Sequence, residues 1–199
     1  MKIILATTNK GKTAEIRSLL SGCGVEIISL ADLSAVQLPE ETGETFPDNA
    51  IAKARFVSER FGAGALADDS GLEVDALGGR PGVRSARYAG EGAGDEANYT
   101  KLLADMEGVP KGARAARFRC AIALVMPGGA TMTFEGALDG EIAFSPSGAN
   151  GFGYDPVFFI PEKGRTAAEL TPDEKNAISH RGRALVRLKA WFALRHKLT

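Results

Sequence analysis

The sequence has few of the features that mark specialised classes of protein. No apolar run approaches the roughly 18 residues of a membrane-spanning helix, and the run 1–6 turns polar at Thr7, too early for a signal peptide. Two cysteines, Cys23 and Cys120, lie far apart and form no CxxC pair, so we expect both to be reduced and structural. Neither sign of charge dominates, since 24 Lys and Arg face 25 Asp and Glu. These absences predict a cytoplasmic protein that binds neither a membrane nor a nucleic acid.

The composition is that of an ordinary globular protein. Hydrophobic residues make up 44% and charged residues 25% of the 199 positions, which is enough apolar material for one large core. We therefore expect a single domain over 1–199. The 24 glycines cluster in loops beside polar residues, a pattern that favours close approach of the backbone to a ligand.

Alternating strand and helix patterns predict an α/β fold with a mixed sheet, in two lobes with a cleft between them. The expected strands lie at 2–6, 25–30, 117–126, 131–135, 141–144 and 157–160. The expected helices lie at 10–20, from the N-cap Thr45 to about Phe61, at 95–106, and after the capping box at Thr171, with Ser179 recapping a long final helix. Gly128 and Gly129 are expected to form a hairpin turn.

Two adjacent carboxylates, Asp68 and Asp69, follow the apolar run 63–67 and precede Ser70 and Gly71. The pattern predicts a buried strand that ends at the two acids, at a sheet edge, with a small-residue turn directly after them. Buried carboxylates are costly unless they are paired or metal-bound, and Mg²⁺ takes one or two protein carboxylates together with substrate phosphates. The residues alone leave two interpretations open, a metal site and an ordinary Asx-type turn.

The loop between the first strand and the first helix is suited to phosphate. Its backbone N–H groups and the positive end of the helix point to the same place, and it carries two lysines. The loop consists of Thr7, Thr8, Asn9, Lys10, Gly11 and Lys12. It is nearly a P-loop, with Ala6 where the first glycine should be. The alternative is an ordinary N-cap with solvated lysines.

Three other segments carry candidate ligand-binding residues. Glu41 is either a solvated acid or a second carboxylate for Mg²⁺ beside Asp69. The Gly-rich stretch 147–156 contains two aromatic rings that either stack on a purine or fill the core. Around a predicted helix start at 175–181, three cationic side chains could bind phosphates or donate to a keto group, or could form a polar first turn.

Taken in order, five segments resemble the inosine triphosphate pyrophosphatase family essentially end to end. They are ATTNKGK, EETGETFPDNA, ADDSGLEVDALGGRPGVRSARYAG, GFGYDPVF and EKNAISHRG. The resemblance implies an elongated α/β fold whose mixed, twisted sheet is split into two lobes flanked by helices, an active cleft between the lobes, and a homodimer. It also implies Mg²⁺-dependent hydrolysis of the deaminated purine nucleoside triphosphates ITP, dITP and XTP to monophosphate and pyrophosphate, a cleansing of the nucleotide pool.

The resemblance further implies roles for individual residues. Triphosphate contacts fall on Thr7, Thr8, Asn9, Lys10, Gly11 and Lys12, mainly on Asn9 and Lys12. The implied ligands of Mg²⁺ are Glu41 and Asp69, with Asp68 close by. Asp69 also has the general-base position, and Ser70 contacts substrate. Base and sugar contacts fall on Phe152, Gly153, Tyr154 and Asp155. Base and phosphate contacts fall on Lys175, His180 and Arg181.

Three alternatives remain from the sequence. A degenerate P-loop kinase or NTPase would use residues 6–13, but Ala6 and the absence of a recognisable adenine or guanine motif count against it. A non-catalytic nucleotide sensor would share the cleft, but the intact acids Glu41, Asp68 and Asp69, together with Lys175, count against that. A relative that acts on nucleotides with another base is the third.

Overall fold

The computed structural model describes residues 1–33 and 36–196, and within them it contains eight strands and five α-helices. The strands are β1 (Lys2–Leu5), β2 (Glu26–Ser29), β3 (Gly64–Val74), β4 (Pro81–Gly82), β5 (Ala115–Val125), β6 (Thr131–Ile142), β7 (Phe158–Ile160) and β8 (Arg165–Thr166). The helices are α1 (Lys10–Leu20), α2 (Phe46–Phe61), α3 (Asp95–Asp105), α4 (Pro172–Ile178) and α5 (His180–His196). Short 3₁₀ turns join several of these elements.

All eight strands belong to one mixed sheet, which confirms the predicted α/β class. The strand order is β2-β1-β3-β5-β6-β7-β8, with β4 paired to β3 outside this path. β1 runs parallel to β2 and to β3, whereas β3–β4, β6–β7 and β7–β8 are antiparallel pairs. The parallel part contains a βαβ unit, because α1 connects β1 to β2, as the alternating strand and helix patterns led us to expect.

The chain divides into two compact units, each with its own apolar core. Unit 1 comprises Met1–Asp69, Cys120–Gly136 and the residues from Arg181 onward, and unit 2 comprises Ser70–Arg119 and Ala137–His180. The core of unit 1 includes Ile3, Leu5, Ile16, Leu66, Ile122, Leu124, Leu185 and Leu188. The core of unit 2 includes Leu72, Val74, Leu102, Phe118, Val157, Phe158, Ile160 and Leu170. The single-domain organisation expected from the sequence stays a prediction.

Helix starts follow their capping residues. Thr45 caps α2 by accepting a hydrogen bond from the Asp48 amide, and Pro47 lies in the first turn. α2 ends at Gly62, whose φ of 60° is the left-handed conformation that glycine adopts without strain. Thr171 caps α4 with a full capping box. These starts confirm the predictions at Thr45 and Thr171, and α1 has the predicted bounds.

The prediction that the strand ends at the two acids is wrong. β3 continues through Asp68 and Asp69 to Val74, and it lies inside the sheet, between β1 and β5. Its early residues pair with β1 and its late residues pair with β4. The hydrogen bonds of this pairing outweigh the local turn preference of Ser70 and Gly71.

Two other strand predictions are wrong in the same region of the chain. The expected strands 131–135 and 141–144 are one continuous strand, β6, and 157–160 is not the last strand, because β8 follows it. A Cβ at Gly140, within β6, would lie 2.6 Å from the Phe158 ring, so the glycine lets β7 pack against β6.

The remaining local predictions agree with the structure. Gly128 and Gly129 form the turn between β5 and β6, with φ values of 92° and 90°. α5 buries Ala184, Leu185, Leu188 and Phe192 and partly buries Trp191, on one apolar stripe. Across residues 1–33 and 36–196, no helix has both the length and the apolarity needed to cross a membrane.

Candidate active site

The loop between β1 and α1 is an N-cap whose lysine reaches a buried acid. Asn9 caps α1 through its side-chain oxygen, which accepts from the Lys12 amide at 3.0 Å, and Thr7 Oγ1 accepts from the Asn9 amide. Lys12 Nζ lies 2.6 Å from Asp68 Oδ1. Beside this loop is a cavity of about 290 Å³, lined by Thr7, Thr8, Lys10, Thr13, Ala14, Arg17, Ser29 and Asp32. Both the capping role and the predicted phosphate role are compatible with this geometry.

Asp68 lies at the centre of a buried set of polar contacts in unit 1. Its side chain is fully buried on β3, and it accepts from Arg181 Nε at 3.1 Å and from the thiol of Cys120 at 3.3 Å, besides Lys12. Two cations thus offset one buried carboxylate, which is what makes its burial tolerable. Burial, followed by the charge of Asp68, raises the pKa of Cys120, so this thiol stays protonated and structural, as predicted.

Arg181 connects two helices through charge. Its guanidinium contacts Asp68 on one side and Glu15 of α1 on the other, and the side chain is 2% exposed. Burial opposes the charged form, but Asp68 and Glu15 outweigh it and raise the pKa of Arg181 above its ordinary value. The structure therefore places Arg181 within a buried ion-pair network, and its predicted contact with substrate stays a prediction.

Asp69 and Glu41 converge on one ammonium group. Lys53 of α2 donates from Nζ to Glu41 Oε1 at 2.5 Å, to Asp69 Oδ1 at 3.1 Å and to the Asp68 carbonyl at 2.9 Å. Asn49, one turn earlier on α2, donates to Asp69 Oδ2 at 3.2 Å. The structure thus brings together the two acids that the resemblance assigns to Mg²⁺, although 27 residues separate them in the sequence (positions 41 and 69, with 42–68 between them).

These three charges shift one another's pKa values in different directions. Burial raises the pKa of Asp69 to about 6, against the opposing charge of Lys53 and with a further rise from Glu41. Burial also opposes ionisation of Glu41, but the charge of Lys53 outweighs it and lowers the pKa of Glu41. For Lys53, burial favours the neutral amine, but Asp69 and Glu41 outweigh burial and raise its pKa. Asp69 is therefore a weaker acid than Glu41 in this group.

The sequence interpretation missed Lys53 and Asn49. Both are buried on α2, on the face that also buries Phe46, Ala50, Ala54 and Val57. The available signal was the four-residue spacing of an asparagine and a lysine within an apolar helical stripe. Buried polar residues need partners, and such partners often belong to functional sites.

The two carboxylates have the chemistry that a hard divalent cation requires. They already share a cation, the Lys53 ammonium. Among the residues that the structure describes, no group of three or more His, Cys, Asp or Glu side chains is arranged to hold a metal. A site with two protein carboxylates suits Mg²⁺, which keeps its remaining positions for water and substrate phosphates.

In unit 2, the Gly-rich loop folds around a buried carboxylate. Asp155 Oδ2 accepts from the Phe152 amide at 2.9 Å and lies 2.6 Å from Lys175 Nζ. Gly151 has a φ of 78°, and a Cβ there would overlap Asp155 Oδ2. Glycine is therefore required where the backbone wraps the acid.

The predicted aromatic residues have different surroundings. Tyr154 is buried and donates from its hydroxyl to the Ser85 carbonyl at 2.8 Å, so its ring fills the core of unit 2. Phe152 is half-buried, and Lys175 Nζ lies 4.7 Å from the centre of its ring. Phe152 is thus the more exposed of the two rings.

His180 and Ser70 complete the predicted residues of unit 2. His180 stacks on Phe118, with ring centroids 4.8 Å apart and an interplanar angle of 19°. Ser70 is half-buried on β3. The structure therefore gathers the predicted residues into two groups. Unit 1 holds the loop 7–12, Glu41, Asp69 and Arg181, and unit 2 holds Ser70, the loop 152–155, Lys175 and His180.

The fold is that of a mixed α/β protein with a buried carboxylate–lysine group in unit 1 and a Gly-aromatic loop in unit 2. The sequence matches the Ham1 family over residues 3–191, and the chain belongs to that family. This membership confirms the resemblance found in the sequence.

Relatives and solved structures agree with this assignment over nearly the whole chain. The dITP/XTP pyrophosphatase of Geobacter sulfurreducens is 55% identical over 188 residues, 94% of each protein, and that of Bacillus subtilis is 51% identical over 185 residues, 93% of each. A HAM1 protein from Coxiella burnetii superposes with a TM-score of 0.88 at 47% identity, covering 97% of this chain and 98% of that one. A nucleoside-triphosphatase, or dITP/XTP pyrophosphatase, from Mycobacterium abscessus gives 0.77 at 49% identity, covering 94% and 98%.

Proposed function

We propose that this chain hydrolyses the deaminated purine nucleoside triphosphates dITP, XTP and ITP to monophosphate and pyrophosphate, with Mg²⁺ as its cofactor. The enzyme class is that of its curated relatives, the nucleoside triphosphate pyrophosphatases, which are hydrolases. The observation that carries the proposal is the convergence of Glu41 and Asp69 on Lys53, because it places two carboxylates and a cation around one point.

In this proposal unit 1 performs the phosphate chemistry. Asp69 accepts a proton from the attacking water. The water oxygen bonds to the α-phosphorus, and the bond from that phosphorus to the bridging oxygen breaks, releasing pyrophosphate. Lys12 neutralises charge on the phosphates, as preorganised cations do in transition states. Lys53 donates a hydrogen bond to each of the carboxylates Asp69 and Glu41 and so keeps them close together.

Glu41 and Asp69 would hold Mg²⁺. When bound, the metal supplies positive charge to phosphate oxygens during in-line displacement. Removing divalent metal with EDTA should abolish turnover, and adding Mg²⁺ should restore it.

Unit 2 would bind the base and the sugar. The half-buried ring of Phe152 would stack on the base, with the ammonium of Lys175 beside it. Hypoxanthine and xanthine carry a keto acceptor at position 6, where adenine carries an amino donor. A donor such as His180 aimed at that position would accept the former, and hydrogen-bonded sites of this kind discriminate by about 10⁴ or more.

Product analysis tests the proposal. The purified protein is incubated with Mg²⁺ and dITP, XTP, ITP, GTP or ATP, and the products are separated by ion-exchange chromatography. We expect monophosphate and pyrophosphate from dITP, XTP and ITP. We also expect each of the three to be hydrolysed faster than ATP. Asp69→Asn is the inactive control, in which kcat should fall by about 10²- to 10⁴-fold. Orthophosphate with diphosphate, or equal turnover of ATP, would contradict the proposal.

Two further properties are proposed from the family resemblance and the composition. The first is a homodimer, which the molar mass in solution, measured by light scattering, would reveal. The second is a cytoplasmic location, which suits two cysteines that are both free in the structure.

A further inference from the structure

Two consecutive amides of the Gly-rich loop are each held by a carboxylate. The Phe152 amide donates to Asp155 within the loop, whereas the Gly153 amide donates to Asp95 Oδ2 at 2.7 Å. The second bond is long-range, because 58 positions separate its partners in the sequence. It therefore fixes the loop to another element of unit 2.

Asp95 comes from the first turn of α3 and is exposed. Its other effect is also on this loop, because the pKa of Tyr154 is raised by burial, by Tyr88 and then by the charge of Asp95. An exposed carboxylate that makes a short, charge-assisted bond to a distant backbone amide holds that amide at a defined place.

The peptide group that carries the Gly153 amide also carries the carbonyl of Phe152. Its orientation therefore influences where the Phe152 ring lies, and Gly153, with a φ of 65°, imposes little restraint of its own. Lys175 restrains the same ring from one face. Asp95 supplies the restraint that the glycine lacks.

We propose that Asp95 is a positioning residue for nucleotide binding, because it holds the peptide between Phe152 and Gly153 in the conformation that receives the base. This inference rests on the proposed function of the loop. Without the bond, the loop occupies its binding conformation for a smaller fraction of the time, and the apparent affinity falls by that fraction. Once the nucleotide is bound, the chemistry is unchanged, so KM changes and kcat does not.

Three variants separate the hydrogen bond from other effects. Asp95→Ala removes the acceptor, whereas Asp95→Asn removes the charge and keeps a side-chain oxygen that can accept. Glu96→Ala is the matched control, because Glu96 is an exposed acid in the same turn of α3 and has the same relation to the helix dipole.

We expect Asp95→Ala to raise KM for dITP and XTP by about three- to tenfold at unchanged kcat, the range expected for one lost hydrogen bond. Asp95→Asn should raise KM by less than Asp95→Ala does, because it keeps an acceptor and loses only the charge. Glu96→Ala should stay within about twofold of the wild type, since Gly153 keeps its acceptor. An unchanged KM in Asp95→Ala, or an equal rise in Glu96→Ala, would overturn the inference.

Hydrogen exchange gives a readout that does not depend on turnover. The Gly153 amide should exchange faster in Asp95→Ala than in Asp95→Asn, while the amides of β5 exchange as in the wild type. If the wild-type protein hydrolyses no deaminated nucleotide, the proposed function fails, and the exchange rates still show whether Asp95 holds the loop. If the Gly153 amide exchanges at the same rate in all variants, the positioning role itself is wrong.

Discussion

The two groups of candidate residues are held in place by different kinds of interaction. In unit 1, charged side chains balance one another in the interior, and Asp68 alone contacts Lys12, Arg181 and Cys120 while fully buried. In unit 2, the loop is held by backbone amides that donate to Asp155 and Asp95 and by glycines with positive φ, beside a buried ion pair between Lys175 and Asp155. Side-chain charge therefore dominates where the phosphate chemistry is proposed, whereas backbone conformation dominates where base binding is proposed.

The largest expected effect comes from breaking the charge network of unit 1. Asp68→Ala leaves Lys12 and Arg181 without the carboxylate that offsets them, and should lower the free energy of unfolding by about 3–5 kcal/mol. Urea denaturation followed by circular dichroism measures it.

Asp32→Ala is the control for this prediction. Asp32 pairs with Arg17 at 2.9 Å in the same unit, but both side chains are about half exposed, at 61% and 46%. Its loss should cost about 0–1 kcal/mol. Similar costs for the two variants would mean that the buried network contributes no more than a surface pair.

The second prediction tests the backbone of unit 2. Gly148 has a φ of 82°, and a Cβ there would overlap the carbonyl group of Ala168. Gly164 has a φ of 63° in the same unit, but a Cβ there would meet nothing within 4 Å. Gly148→Ala should therefore destabilise the protein by about 1–3 kcal/mol more than Gly164→Ala, since both variants share the strain of positive φ and only one adds overlap.

Thermal and urea unfolding of both variants measure this difference, and KM values should follow the same order. Equal stability would mean that the segment at Gly148 shifts at no cost and that the loop is not fixed by its backbone.

Local features of the fold were accessible from the sequence. The bounds of α1, the caps at Thr45 and Thr171 and the turn at Gly128 depend on neighbouring residues, and sequence patterns record such short-range preferences. The errors at β3 and β6 have one cause. Both strands contain small residues that favour turns in isolation, and pairing with distant strands overrides that preference.

The partners within the candidate site could not be predicted in this way. Arg181 lies 113 positions from Asp68, and Asp95 lies 58 positions from Gly153, so no local pattern links either pair. The family resemblance named Glu41 and Asp69, but it did not name Lys53, which the structure places between them. Lys53 was visible only as a lysine on an apolar helical face, a signal that is strong once the helix is known.

The smallest expected effect concerns a surface cap in unit 2, and it sharpens the contrast with the buried acids of unit 1. Glu174 accepts from the Thr171 amide at 2.8 Å and from Arg165 at 3.1 Å, and these bonds hold its pKa below the ordinary 4.5. Because the pKa is lowered on folding, ionised Glu174 stabilises the fold above pH 4.5 and loses that contribution as the pH falls through the lowered value.

Glu174→Gln keeps an acceptor for the cap and removes the titratable carboxyl group. The wild type should therefore be the more stable protein at pH 7, and urea midpoints of the two should approach each other as the pH falls below 4.5. Asp173→Asn removes the same charge from the same turn; an identical pH dependence in that variant would assign the effect to the helix dipole and not to the cap.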